Sequence, residues 1–270
     1  MNRLHLFLLF FMSCLQGAIV NCSDVIRHDK KEIKIIVLIV ASDNYNEAVN
    51  CLEVYKELQK IWKAYMHNDP EHVEAYFIRS NPNLPTLYEI QGDVIWCKSP
   101  ENLNPGIINK TILSMEVLLP RISEFDYVLR TNLSSFYVFP RLLEFLKHCP
   151  KNNFYGGSDN GNLHIRIGSG CGFLLSSDLV ELMVRNKKFF INNASMYEDE
   201  LIGYFLIHHR QRLFHHARMN LMPMAAWDYY KDKIPSDMFH FRIKNENHLR
   251  LKDDIYVHKQ LLKMFYGIDL

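Results

Sequence analysis

DYVLRTNLSSFYVFP, residues 126–140, opens with a short apolar run, breaks at Arg130, Thr131 and Asn132, and turns apolar again before Pro140. A run bounded this way reads as a buried strand, Asp126 to Leu129, that opens onto the Arg-Thr-Asn triplet. Pro140 then suits a first helical turn, because its missing N–H would have no partner there anyway, and PRLLEFLKHC follows as a helix.

Upstream, IKIIVLIVA from Glu32 onward is continuously apolar and β-branched, as expected of a central parallel strand covered on both faces. NEAVNCLEVYKELQKIWKAYM places Cys51, Val54, Tyr55, Leu58, Ile61, Trp62 and Tyr65 at three- and four-residue steps, an amphipathic helix that Asp43 or Asn44 can cap. HVEAYFIR is a second strand, and TLYEI and VIWCK are two short strands joined at Gln-Gly-Asp. After a Pro-Asn-Gly loop, GIINKTILSMEVLLPRI carries Ile108, Ile112, Met115, Leu118, Leu119 and Ile122 on one helical face.

Downstream, NNFYGG and LHIRIG are short strand candidates. SSDLVELMVRN is a helix with Asp178 as cap and Glu181 three residues on, and EDELIGYFLIHH is another helix. Strands alternating with helices of this length, without repeats or linkers, predict a single α/β domain over residues 30–270 with a mostly parallel central sheet flanked by helices.

Composition agrees with a folded core: 48% of the 270 residues are hydrophobic and 23% charged. A net charge of +1 gives no broad field for a nucleic-acid backbone, so nucleic acid is excluded as a partner class. MNRLHLFLLFFMSCLQGAIV, with Arg3 ahead of a short interrupted apolar core and small residues at Gly17 and Ala18, reads over residues 1–22 as a signal peptide or a short signal anchor. This predicts the secretory pathway, with membrane contact only through that segment if it is uncleaved. The six cysteines contain no CxxC pair, so spacing offers no metal or redox motif, while a disulfide remains open in an oxidising lumen. Asn21, Asn109, Asn132 and Asn193 each begin an N-glycosylation sequon.

In open α/β sheets ligands gather beyond the carboxyl ends of the strands. Four places there carry chemistry. Ala41, Ser42 and Asp43 follow the first strand, and Arg130, Thr131 and Asn132 follow the strand quoted above. GSGCGFLLSSDL, residues 168–179, offers small residues that let backbone approach a ligand, although a glycine-kinked strand would look the same. In NASMYEDELIGYFL, Ser195 and Glu198 fit a capping box, which leaves Asp199 the freer carboxylate. Apart from these four, in MFHFRIKNENHLRLKDD the residues His240, Arg242 and Lys244 alternate, so an extended strand turns all three to one side, as a solvated strand face also would. His208, His209, His215 and His216 lack a metal-ligand spacing and read as structural or surface residues.

Taken in order, DYVLRTNLSSFYVFPRLLEFL, GSGCGFLLSSDLVELM and YEDELIG resemble the β1,3-galactosyltransferase and fringe group of glycosyltransferases over roughly residues 33–210. The resemblance implies a GT-A fold, a nucleotide-diphosphate-sugar donor, a glycan, glycoprotein or glycolipid acceptor, a divalent metal held by aspartates, and inversion at the anomeric carbon. It puts Asp199 at the catalytic base with Glu198 beside it, Ser169, Gly170, Cys171 and Gly172 on the segment flanking acceptor and donor sugar, and Gly203 at the helix glycine. The departure is the aspartate motif, where Arg130, Thr131 and Asn132 stand instead. Mn²⁺ at the usual position thereby loses its hard anionic ligands, and cationic side chains would have to stabilise the leaving diphosphate. A glycan on Asn132 would also sit at the mouth of such a site.

Two functions follow as expectations. One is an inverting, metal-independent hexosyltransferase-type enzyme, with Asp199 as base, Asp43 or nearby backbone holding the nucleotide, and Arg242 and Lys244 on the diphosphate. The other is a catalytically inactive transferase-fold binding or chaperone protein. A nucleotide hydrolase or dehydrogenase is disfavoured, since no phosphate loop, nucleophile elbow or dinucleotide fingerprint occurs.

Overall fold

The computed structural model describes residues 32–42, 52–160, 165–222, 224–246 and 248–270. The leader, Asp43, Asn44 and Cys51 lie outside them. Ile33–Leu270 forms one compact unit.

The apolar run after Glu32 forms β1 (Ile35–Val40) at the middle of an eight-stranded sheet. Its side chains alternate between two separate cores, Ile35, Val37 and Ile39 on one face and Ile36 and Leu38 on the other, which is why the run lacks polar alternation. On the first face lies α1 (Leu52–Tyr65), burying Val54, Leu58, Ile61, Trp62 and Tyr65. The chain returns as β2 (Val73–Ser80), parallel to β1. Next come the antiparallel β3 (Tyr88–Gln91) and β4 (Val94–Cys97), with Gly92 between them at positive φ, as a tight hairpin requires. On the second face lies α2 (Gly106–Leu118), continued by a 3₁₀ segment, Leu119–Glu124.

β5 (Tyr127–Asn132) runs parallel to β1 on its other side, and β6 (Ser135–Tyr137) leads into α3 (Phe139–Leu146). β5 is longer than the sequence suggests: Arg130, Thr131 and Asn132 are its last three residues, paired to Leu38, Ile39 and Val40 of β1. Pairing of all three with β1, and of Arg130 and Thr131 with the strand on the other side, holds these polar residues extended where their side chains alone would favour a break.

β7 (Tyr155–Asp159) and β8 (Gly168–Ser176) follow. Of the LHIRIG strand, Leu163 and His164 lie outside the described residues, and the rest is corrected: extended pairing begins only at Gly168 and runs through the glycine-rich segment itself. Pairing with β5 on one side and β7 on the other overrides the weak strand preference of glycine. At Gly172 the lack of a side chain is required, since a Cβ would stand 1.8 Å from the Tyr137 hydroxyl oxygen.

Ser176, not Asp178, occupies the N-cap position of α4 (Ser177–Arg185), without a side-chain capping bond, and the Asp178 carboxylate accepts the Asn153 N–H. Then come α5 (Lys187–Asn192), α6 (Glu198–His208), β9 (Leu213–His215), β10 (Met219–Asn220), α7 (Met224–Tyr230), β11 (His240–Arg242) and α8 (Arg250–Tyr266). The main sheet has the order β3-β4-β2-β1-β5-β8-β7-β9, and a small sheet has the order β10-β11-β6. Cys97, Cys149 and Cys171 are free thiols. No helix of the described residues is long and apolar enough to cross a membrane.

His216, His240 and His258 are buried. Burial pulls His216 down to about 3, His258 to about 4, and His240 well below its ordinary value. An unfolded chain takes up these protons near pH 6.5 while the native chain refuses them, so their stabilisation is present above that pH and is lost as pH falls toward 4 and below. The midpoint of thermal unfolding should hold steady above pH 7 and decline between pH 6.5 and 4, each histidine steepening the slope by up to about 1.4 kcal/mol per pH unit. Replacing His258 with Phe should flatten that decline, and an unchanged slope in scanning calorimetry would contradict its assignment.

Candidate active site

β1 and β5 end side by side, and with the starts of α2, α6 and α8 they enclose a cleft of ≈ 620 Å³. Ala41, Ser42, Arg130, Asn132, Gly170, Glu198, Asp199, Arg242 and Lys244 all line it. The ends of β1 and β5, the glycine-rich strand, the acidic helix start and the basic C-terminal segment therefore meet in one place, although they are spread over some 200 residues of sequence.

At the centre is a buried ion pair. Glu198 begins α6, whose cap is Tyr197, so the Ser195–Glu198 capping box does not form. Its carboxylate turns inward, where Arg130 donates from Nε to Oε1 at 2.8 Å and from an outer nitrogen to Oε2, and Thr111 of α2 donates to Oε1 at 2.6 Å. Burial pushes the Glu198 carboxyl up, against the opposing pull of Arg130 and the Thr111 hydroxyl. Arg130 also donates to the Gly170 carbonyl and stacks over the Phe173 ring at 5.5 Å. Each member is thus engaged by the other, with the Thr111 hydroxyl and the Gly170 carbonyl completing the set.

Asp199, one residue on, is placed by this pairing. Its Oδ2 accepts the Gly170 N–H at 2.8 Å and its Oδ1 the Glu200 N–H at 3.1 Å. It makes no ion pair among the described residues. Gly170 is needed for the approach, because a Cβ there would come within 3.1 Å of Oδ2.

The basic side of the cleft comes from β11 and the segment after it. Arg242 donates to the Asn132 Oδ1 at 2.8 Å, a neutral acceptor, and burial lowers its pKa. Lys244 lies beyond it on the rim, exposed. The segment is held by Asp254, which accepts from Arg250 Nε at 2.9 Å and from the backbone and side-chain nitrogens of Asn245 at 2.9 and 2.8 Å. Arg250 in turn donates to the Ser134 hydroxyl at 2.9 Å.

Other expected site residues fall elsewhere. His240 is fully buried beneath the cleft, stacked on Tyr137 with its Nε2 3.0 Å from the Tyr137 hydroxyl and its Nδ1 3.2 Å from His216 Nε2. The alternation that groups it with Arg242 and Lys244 holds along the strand, but the cleft reaches only the last two. Thr131 gives its hydroxyl to the Cys171 carbonyl at 2.9 Å and is buried. Ser169, Cys171 and Gly172 do not line the cleft, and Cys171 Sγ accepts from Arg218 and donates to the Ser169 hydroxyl oxygen at 3.2 Å. Asp43 lies outside the described residues.

The divalent metal implied by the resemblance does not fit the end of β5. Arg130 is a cation, Thr131 is turned onto a backbone carbonyl, and the Asn132 Oδ1 accepts from both Ser134 N and Arg242. Among the described residues no three His, Cys, Asp or Glu side chains are grouped to hold an ion. The Asn132 Nδ2, which a glycan would use, donates to the Gly170 carbonyl at 2.9 Å.

Sequence reading missed Lys110, Glu101, Tyr55, Leu103, Tyr197 and Arg250. Lys110 is the clearest case: its ammonium is buried and bonds the Ala41 carbonyl and Glu101, both at 2.9 Å, so it fixes the end of β1. Burial lowers its pKa while Glu101 opposes the shift. A lysine two residues from Ile108 falls off the apolar stripe and looks solvated, but α2 is buried nearly all round.

No family model and no curated protein matches the sequence. Among solved structures, the chain is similar to a glycosyltransferase involved in the glycosylation of the major capsid of PBCV-1, with a TM-score of 0.51 and 10% identity, over 81% of this chain and 98% of that one. Mouse xyloside xylosyltransferase 1 in its apo form aligns with a TM-score of 0.34 and 8% identity over 78% and 97%, too loosely to carry weight. The fold is GT-A-like, a central sheet flanked by helices, as the sequence resemblance implies.

Removing one partner of a buried ion pair strands the other charge, at a cost of about 3–5 kcal/mol. Arg130→Leu and Glu198→Leu should each destabilise the protein by that order, and the double substitution should recover much of the loss. Additive losses in urea unfolding would contradict the pairing.

Proposed function

We propose that this protein is a glycosyltransferase that moves a sugar from a nucleotide-diphosphate donor to a hydroxyl acceptor with inversion, and that it needs no divalent cation at the end of β5. The observation that carries the reading is the arrangement across one cleft of Asp199, a carboxylate without an ion-pair partner among the described residues, and Arg242, a cation whose hydrogen bond goes to a neutral amide.

In this reading Asp199 removes the acceptor hydroxyl proton as that oxygen attacks the sugar C1. The bond from C1 to the phosphate oxygen breaks on the opposite face, and the charge that develops on the leaving diphosphate is met by Arg242 and Lys244. Those cations are placed before reaction by Asn132 and by the Asp254-held segment, so little reorganisation is needed at the moment of transfer. Arg130 neutralises Glu198, sparing Asp199 a second bare carboxylate at its side. Ala41 and Ser42, fixed through Lys110, hold the nucleotide. The N-terminal leader-like segment supports placing this chemistry in the lumen of the secretory pathway, with a glycan, glycoprotein or glycolipid as acceptor.

Asp199→Asn should cut transfer by about 10²–10⁴-fold while leaving donor-induced thermal stabilisation in place. Parental transfer rates in that variant would remove Asp199 from the mechanism. Arg242→Glu with Lys244→Glu should abolish stabilisation by nucleoside diphosphates, and stabilisation equal to that of the parent would displace the clamp to other residues.

A further inference from the structure

We infer that the apolar ledge at the mouth of the cleft, formed by the exposed Tyr197 and Leu103 with the half-buried Ile107, is the acceptor platform and selects the C–H face of a pyranose ring; this rests on the transferase reading. Single exposed apolar side chains need no explanation. Here Tyr197, 52% exposed, and Leu103, 56% exposed, line the same cavity although they come from segments nearly 100 residues apart.

Those segments are tied together. Asn104 Nδ2 donates to the Ser195 carbonyl at 3.1 Å, and the Ile107 N–H reaches the Leu103 carbonyl at 3.3 Å. Tyr197 is held from the other side as well, being the extended cap residue directly before Glu198, which Arg130 locks in place. Its backbone is therefore fixed two residues before Asp199.

The chemistry of the ledge separates it from the donor end. None of the five basic side chains lining the cleft lies on residues 101–107 or 195–199, so the ledge is unsuited to phosphate. A flat aromatic body with a hydroxyl tip beside aliphatic side chains suits a ligand with one apolar face and a polar rim, which describes a pyranose ring. Asn102 adds a side-chain amide to the same rim, toward which ring hydroxyls can hydrogen-bond. A sugar stacked there presents a hydroxyl toward Asp199.

The test is saturation-transfer NMR on the full chain with millimolar methyl β-galactoside, methyl β-xyloside, methyl α-mannoside and methyl β-N-acetylglucosaminide, run beside thermal shift with UDP, GDP and CMP. At least one glycoside should bind the parent through its ring C–H protons. Tyr197→Ala and Leu103→Ala should weaken it by about tenfold, and Tyr197→Phe should retain most of it. Binding equal in parent and Tyr197→Ala would overturn the ledge. Nucleotide binding without any glycoside binding would overturn the ledge and leave the transferase reading standing. Absence of both would overturn both.

Discussion

A guanidinium and a carboxylate, both withdrawn from water, neutralise each other between the end of the central strand β5 and the first residue of α6. The Arg130–Glu198 pair sets where the acidic helix start meets the sheet. It pins the start of α6 against the sheet, so that Asp199 meets the Gly170 N–H and Tyr197 is carried to the rim. Through Thr111 it ties in α2, which brings Lys110 to the end of β1. A buried pair of this kind is weak as a source of stability but strong as a constraint, because neither charge tolerates the loss of the other.

The pair also explains why the end of β5 carries Arg-Thr-Asn. A strand end facing an acidic helix start accumulates negative charge, and something positive must balance it. Here an arginine of the chain itself does so, with five donors in a fixed fork that match a carboxylate, a backbone carbonyl and an aromatic face at once. The balance is therefore intrinsic to the fold. The other wall of the cleft carries its own positive side chains, where Arg242 leans on Asn132 and the segment bearing Lys244 hangs from Asp254.

Much of this was legible before any coordinates. β1, the β3–β4 hairpin and the helices with apolar stripes follow from periodicity, because each buries one defined face or both. Arg130 and Asn132 followed from looking beyond strand ends, whereas Gly170 and Asp199 were joined to them by the family resemblance, and Arg242 and Lys244 by their alternation and the charge a leaving diphosphate needs. What was hidden depended on tertiary surroundings. Glu198 looks like a helix cap until Arg130 is seen opposite it, and the glycines of β8 look like a loop until two neighbouring strands supply their hydrogen bonds. Lys110 looks solvated until α2 is found packed on several sides. His240 shares a strand side with Arg242, but the width of the cleft, which no pattern encodes, leaves it beneath Tyr137.

If, as proposed, positive side chains hold a diphosphate in this cleft without a metal, binding should be indifferent to the cation supplied. Isothermal calorimetry with UDP, GDP and CDP, each in EDTA and in manganese, reads this out. At least one diphosphate should bind with the same affinity in both, its affinity falling as salt is raised. Binding seen only in manganese would contradict it.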